Sequence, residues 1–459
     1  MTTLGRNAVA AATLHSAFDG DVLLPEDPGY DEARTVFNGA VDHRPGIIAQ
    51  CTSPDDVAHA VVAARDMGLE ISVRGGGHGV AGKAVTEGGL MVDLSRMNEV
   101  TVDPGARTAR FGGGAVMKDL DGAAEAFGLA TTGGRASTTG LGGFVLGGGS
   151  GWLERKFGLA CDNLLSVELV TAEGRFIEAG EKRHPELFWA LHGGGGNFGV
   201  ATAMTLRLHE LPAFTAALFL WPEENGREIL GAYRDFLAHA PDEVGGGFVF
   251  VTGPPEEFVP PQLQGQRCAA VAVMYAGPES AAAEVVAPFV DLEPEGKMVA
   301  QLPYSIAQTL FDDPPGMRNY WSAEYLASFP DEAADAFVDC LAGKPLLSQH
   351  VMFPGGGAVA RNTDGWPVPW RGAPYVVHPF GIWEDPAEDA AAREWVRNVR
   401  TTMRPWSTGD VYLNFIGDEG ADRVLAGYGE ENYRRLAAVK TAYDPGNLFH
   451  LNHNIKPNT

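Results

Sequence analysis

The sequence predicts an α+β protein built as two domains, and three observations carry that expectation. At 459 residues the chain has room for two to three cores. Glycine-rich runs crowd its first part: one at Gly75, Gly76 and Gly77, one across residues 131–151, and one at 193–196. Beyond His209-Glu210-Leu211-Pro212 these loops give way to alternating strand and helix periodicities, the pattern of an antiparallel sheet with helices on one face. The expected division is residues 1–210 as a ligand-cradling domain, 211–409 as a second domain, and 410–459 as a strand, helix and tail returning to the first.

Composition narrows the classes. Apolar residues make up 45% and charged residues 20%, ordinary for a soluble globular enzyme. A formal net charge of −25 repels nucleic acid and anionic membrane at long range. Cys51, Cys161, Cys268 and Cys340 lie far apart with no C-x-x-C, which fits buried thiols of a reducing compartment better than a disulfide framework. No cluster of His, Cys, Asp or Glu has metal-ligand spacing, so no metal is expected. No apolar run reaches membrane-spanning length. The Ala-rich start, MTTLGRNAVAAATLHSAF, lacks a strongly basic region and reads as a surface helix of a cytoplasmic protein.

In chain order, Ser53-Pro54-Asp55-Asp56 opens a helix, with a cap, a proline at the first position and acids at the positive dipole end; Gly68 closes it. Leu69, Ile71 and Val73 alternate into a strand that feeds Arg74-Gly75-Gly76-Gly77-His78-Gly79. Such glycines let successive N–H groups turn towards one anion, and Arg74 can add a charge. His78 is the odd member, because anion binding needs no imidazole; a ring nitrogen fixed there could bond covalently to a cofactor. Residues 90–94 read as a strand and 117–127 as a helix. The run TTGGRASTTGLGGFVLGGGSG holds nine glycines yet buries Leu141, Phe144, Val145 and Leu146, so it suits a bare-backbone wall against a flat ring or pyrophosphate. Residues 163–178 read as a hairpin and 185–191 as a short helix before the third glycine run and a strand entered at Val200. None of these loops has the G-x-G-x-x-G setting of a nicotinamide fold.

In the second domain, helices are expected at 227–238, 281–290, 332–341 and 391–403, and strands at 247–251, 269–275, 349–353, 375–383 and 410–415. A last helix spans 430–443.

Taken together, VRGGGHG, GGRASTTGLGGFVLGGGSGWLERKFGL, DNLLSVELVTAEG, HPELFWALHGGGGNFGV and the terminal YDPGNLFHLNHNIKP resemble the vanillyl-alcohol-oxidase superfamily, and within it the berberine-bridge-enzyme-like oxidases of bacteria. The resemblance covers about residues 40–210 and 410–459. It implies that fold, with an FAD-binding domain and a sheet roofing the flavin. It implies FAD held by Arg74, Gly75, Gly76, Gly77 and Gly79, with Thr138, Thr139, Gly142, Gly143, Gly199, Val200, Asn452 and Asn454 also against the cofactor, and a covalent bond from His78. Many relatives add a second bond from a Cys in a C-P-T-V-G-like segment. Ala136 stands at that position here, so a single link is expected.

Within VYLNFI, Tyr412 can act as acid, base or orienting donor and Asn414 can bond substrate or flavin edge; a buried aromatic with a satisfied hydroxyl is the plainer reading of Tyr412. Thr139 borders the face where dioxygen approaches in relatives, or merely packs. Phe144, Trp152, His350 and Tyr320 are expected to line the substrate cavity, with Tyr275 and Trp321 as further aromatics. By the resemblance, relatives often carry a Glu near this strand as a base candidate, and this chain has Val351 at the aligned position; His350 replaces it only if it points the same way, and neighbours on a strand point oppositely. The implied activity is hydride transfer from an alcohol, sugar or secondary metabolite to flavin N5, with dioxygen reoxidising the flavin. Thr139 and Ala136 leave an oxygenase open, and Val351 leaves a non-catalytic flavin protein open. Substrate identity and oligomeric state are not written in the sequence.

Overall fold

The computed structural model describes residues 3–458. The N-terminal helix runs Thr3–Ala17; Met1 and Thr2, the first residues of that expected helix, lie outside the described residues. Three sheets matter for the site. The first has four strands: Ile47–Gln50, Leu90–Asp93 and Ile71–Arg74 pair in parallel, and Asp21–Leu23 adds an antiparallel edge. The helix Pro54–Met67 is the crossover that parallel pairing requires. Its start is as read: Ser53 Oγ accepts the Asp56 N–H at 3.2 Å, and Gly68, at φ 60°, ends it. The second sheet is antiparallel and has five strands, with Val200–Arg207 at its centre and the hairpin Leu164–Val170 / Phe176–Gly180 at one edge.

The third sheet has eight antiparallel strands between Thr215 and Trp383, in the spatial order Gly296–Gln301, Thr215–Pro222, Arg267–Tyr275, Val244–Thr252, Gln349–Pro354, Tyr375–Trp383, Arg318–Trp321, with Glu324–Leu326 paired further along Tyr375–Trp383. Period-two alternation sorts its side chains. Ala217, Phe219, Phe248, Phe250, Val271 and Met352 turn to one face and are covered by the helices Gly226–Leu237, Glu279–Val290, Asp331–Asp339 and Asp389–Met403. Each fully buried Phe there contributes about 1.5–3 kcal/mol. Leu218, Leu220, Val249, Val351, Phe353 and Phe380 turn to the other face.

Two sequence expectations change here. Residues 410–415 are not a strand: Leu413–Phe415 forms a 3₁₀ turn, closed by the Phe415 N–H on the Tyr412 carbonyl at 3.0 Å, because the segment is not paired into a sheet. Tyr320 and Trp321, outside the strands expected from the sequence, lie on the strand Arg318–Trp321. All four cysteines are free; Cys51, Cys161 and Cys268 are buried and Cys340 is partly exposed. Among the described residues no helix is long and apolar enough to cross a membrane.

Candidate active site

The three glycine loops, the loop 309–317, the helix-free face of the large sheet and the tail 451–453 enclose a cavity of about 1270 Å³. An ordinary small-ligand pocket holds roughly 300–1,000 Å³, so a dinucleotide and a second molecule fit together. Close approach of bare backbone builds its floor. A Cβ on Gly76 would lie 2.4 Å from Gly140 Cα, so the His78 loop and the 136–140 segment touch only because both positions lack side chains. Gly79, Gly143, Gly195 and Gly196 line the cavity, and a Cβ on any of them would meet nothing within 4 Å. This is a cradle of exposed peptide edges. Where orphan amides meet an anion, they bind it without further charge.

His78 lines the cavity, stacked on Phe37 with centroids 3.9 Å apart. Its Nε2 is buried and has no hydrogen-bond partner among the described residues. Burial pulls its pKa down to about 4, so the ring is neutral at neutral pH. The Asn452 Oδ1 is likewise buried without a partner, on a residue lining the same cavity. An unpartnered imidazole, an unpartnered amide oxygen and open glycine edges are what a bound flavin nucleotide would complete.

The cavity gathers Gly75, Gly76, Gly77, His78, Gly79, Thr139, Gly142, Gly143, Phe144, Trp152, Gly199, Val200, Tyr412, Asn414 and Asn452. Several expected residues are elsewhere. Arg74 adds no charge to the cradle: its guanidinium is paired with Asp93 at 2.8 Å, a carboxylate with no exposed surface, and it also donates to the Thr35 carbonyl. Thr138 points to solvent, because the turn that brings Thr139 inward turns its neighbour out. Asn454 is not on the cavity wall. His350 faces the helices, stacked on Phe337 at 3.7 Å with Nε2 bonded to the Phe337 carbonyl; strand alternation gives the cavity to Gln349, Val351 and Phe353 instead. Tyr320 also faces the helices, under Arg393 and Arg397, while Trp321 takes the cavity side. Tyr275 packs on the helix side too.

Tyr412 is almost fully buried. Its hydroxyl oxygen accepts the Gly149 N–H at 2.9 Å, the Ser150 N–H at 3.3 Å and Asn414 Nδ2 at 2.9 Å. Burial pushes its phenol well above the ordinary value. It stays protonated and pins the second glycine loop to Asn414.

Sequence reading missed Arg135, Asp312, Asp313, Phe380 and His453, all on the cavity wall. The Arg135 guanidinium lies 4.1 Å over Phe353 and 5.1 Å from the Trp152 ring, donating to Ser150. Asp312 accepts from the Ser137 N–H at 2.6 Å and its hydroxyl at 2.5 Å, which latches the loop 309–317 over the cavity. Asp313 beside it is raised to about 6 by burial and by Asp312. His453 had a signal, since it lies inside the terminal LNHNIKP; the loop acids had none.

The glycine cradle, its imidazole and the sheet roof define a flavoprotein oxidoreductase of two lobes, and comparison agrees. Residues 45–180 match the FAD binding domain family, and residues 411–456 match the berberine and berberine-like family. The chain is 34% identical to (R)-6-hydroxynicotine oxidase of Paenarthrobacter nicotinovorans, over 96% of this chain and 97% of that one. It is 28% identical to the FAD-linked oxidoreductase YgaK of Bacillus subtilis, over 95% and 97%. The crystal structure of 6-hydroxy-D-nicotine oxidase from Arthrobacter nicotinovorans superposes with a TM-score of 0.85 at 31% identity, covering 96% of this chain and 98% of that one. A carbohydrate oxidase from Microdochium nivale, at 22% identity and a TM-score of 0.84, shares the fold. The chain belongs to the berberine-bridge-enzyme-like FAD-linked oxidases of the vanillyl-alcohol-oxidase superfamily.

Proposed function

We propose that this oxidase carries FAD on a single covalent bond from His78 and oxidises an alcohol, sugar or secondary-metabolite substrate, with dioxygen as final acceptor. Residues 1–210 and 410–459 hold the cofactor and 211–409 hold the substrate. When bound, the flavin supplies the two-electron acceptor. The amides from Gly75 to Gly79, with Gly142 and Gly143, hold its anionic and polar parts, and Asn452 completes a hydrogen bond to it. Tyr412 and Asn414 keep the second glycine loop in place. Leu218, Leu220, Val249, Phe353 and Phe380 exclude water from the substrate side, which favours a flat, largely apolar metabolite over a sugar.

The observation that carries the reading is the neutral ring of His78 on the cavity wall, its buried Nε2 without a hydrogen-bond partner among the described residues. The denatured protein should fluoresce as a flavin on a gel, and His78→Ala should abolish that band. A colourless wild-type band after production with ample FAD sinks the covalent link. Bleaching of the flavin absorbance during a substrate screen that includes 6-hydroxynicotine, the substrate in the relative's name, tests the activity.

A flavin oxygenase is the second reading. Thr139 favours it, because it stands on the cavity wall and its hydroxyl has no hydrogen-bond partner among the described residues. Labelled dioxygen in the product supports it; stoichiometric peroxide without label excludes it.

A further inference from the structure

Arg135 precedes Ala136 at the start of the second glycine loop, and its side chain, 14% exposed, lines the cavity. The guanidinium stands 4.1 Å over the Phe353 ring, 5.1 Å from Trp152 and 5.7 Å from Phe415, and all three rings are on the cavity wall. Phe353 belongs to the strand Gln349–Pro354 of the large sheet, so the charge sits where that sheet roofs the cavity.

This charge is poorly matched. The guanidinium donates to the Ser150 carbonyl and hydroxyl at 3.2 Å, and its carboxylate partner, Glu154, lies at 3.5 Å. Its Nε has no hydrogen-bond partner among the described residues. Charge-assisted bonds normally close to about 2.7–2.9 Å. Arg318 shows the contrast within this chain, since its Nε and Nη2 each reach Asp389 at 2.6 Å. Glu154 is also shared: it accepts the Gly151 N–H, and the Arg155 charge acts on it too. Arg155 donates to the carbonyls of Gly355 and Ala240 and has no ion pair among the described residues. Two nearly buried guanidiniums therefore share one carboxylate, which leaves a positive charge uncompensated. The carboxylates on the cavity wall, Asp312, Asp313, Glu256 and Glu384, form no ion pair with Arg135. A methionine would fill the same aromatic box without taking a charge out of water, so packing alone does not account for the guanidinium.

We propose that Arg135 sets the specificity of the site by binding a carboxylate carried by a flat, otherwise apolar substrate. The proposal rests on reading this cavity as the substrate site of an FAD oxidase, and it names the substrate class. A planar guanidinium suits a carboxylate, and the rings of Phe353, Trp152 and Phe415 suit the flat body beside it. The same charge turns away a protonated amine, which would bring a second cation to a site already in excess.

The test is Arg135→Gln in the flavin-loaded protein, titrated with benzoate, with its neutral isostere benzamide and with benzylamine, and read by calorimetry and by flavin absorbance. The wild type should bind benzoate more tightly than benzamide and the protonated amine most weakly. Glutamine keeps an N–H for Ser150 but carries no charge. The benzoate-to-benzamide affinity ratio should therefore fall about tenfold or more, the size of one charge-assisted hydrogen bond, with benzamide affinity nearly unchanged. Arg135→Lys should retain part of the ratio. Where Arg135→Gln melts lower because Glu154 has lost its cation, Arg135→Gln with Glu154→Gln removes that charge as well and should show the same fall. A wild type without preference for benzoate overturns the proposal. An unchanged ratio in the variants overturns it too, as does an equal loss of affinity for benzoate and benzamide, which marks a structural role. Flavin fluorescence of the denatured wild type and its reoxidation in air after dithionite judge the oxidase reading separately, since neither depends on a carboxylate ligand.

Discussion

Lys440 is the most consequential buried charge outside the cavity. It and Asp444 form an ion pair at 2.6 Å with no exposed surface on either side chain. The ammonium also donates to the Asn197 carbonyl at 2.7 Å and the Phe449 carbonyl at 2.9 Å, and Asp444 accepts the N–H groups of Leu448 and Phe449. These bonds tie the last helix, Glu430–Tyr443, to the third glycine loop and set the course of the tail that brings Asn452 and His453 to the cavity. Lys440→Met keeps the aliphatic bulk but strands the carboxylate and one of the two carbonyls. Removing one member of a buried pair costs roughly 3–5 kcal/mol. Lys440→Met should therefore lose that much in urea unfolding and shed noncovalent flavin from a His78→Ala background. Lys440→Met with Asp444→Asn should recover part of the stability, since no charge is left unpaired and the amide oxygen still accepts one of the Leu448 and Phe449 N–H groups. A single variant within about 1 kcal/mol of wild type, or a double variant as unstable as the single, refutes the reasoning.

Three further outcomes follow from named contacts. Asp121 is buried and raised to about 7, first by desolvation. Its folded state holds a proton that the unfolded state gives up, so its contribution to stability is present below the ordinary carboxyl range and lost as pH rises through about 7. Asp121→Asn should flatten the fall in melting temperature between pH 5 and pH 8. At Gly140 an added Cβ would meet the backbone N of Gly76 at 2.4 Å, so Gly140→Ala should part the two glycine loops and reduce flavin loading at least about tenfold. Removing the Ser137 hydroxyl leaves Asp312 one donor short. Ser137→Ala should increase protease nicking within 309–317 several-fold without shifting the global unfolding midpoint by more than about 1 kcal/mol.

Much of the architecture was legible along the chain. Helix starts such as Ser53-Pro54 and the last helix at 430–443 depend on local capping and periodicity, which sequence carries directly. The glycine loops were legible for a related reason, since only glycine allows the contact between Gly76 and Gly140. The site was legible in part. His78 announced itself because an imidazole inside a glycine run serves no purpose of the turn. Arg74 misled, because nothing local shows that Asp93, nineteen residues on, takes its charge. His350 and Tyr320 misled because a strand's period fixes which residues share a face but not which face meets the cavity.

What the sequence by itself determined is the set of local geometries: bare backbone where loops must touch, one imidazole among them, and strands that separate two sets of side chains. Tertiary structure alone decided which set faces the cavity and which charges are neutralised. Those depend on pairing register and on partners distant along the chain, such as Phe353 for Arg135, and no local propensity encodes contacts of that kind.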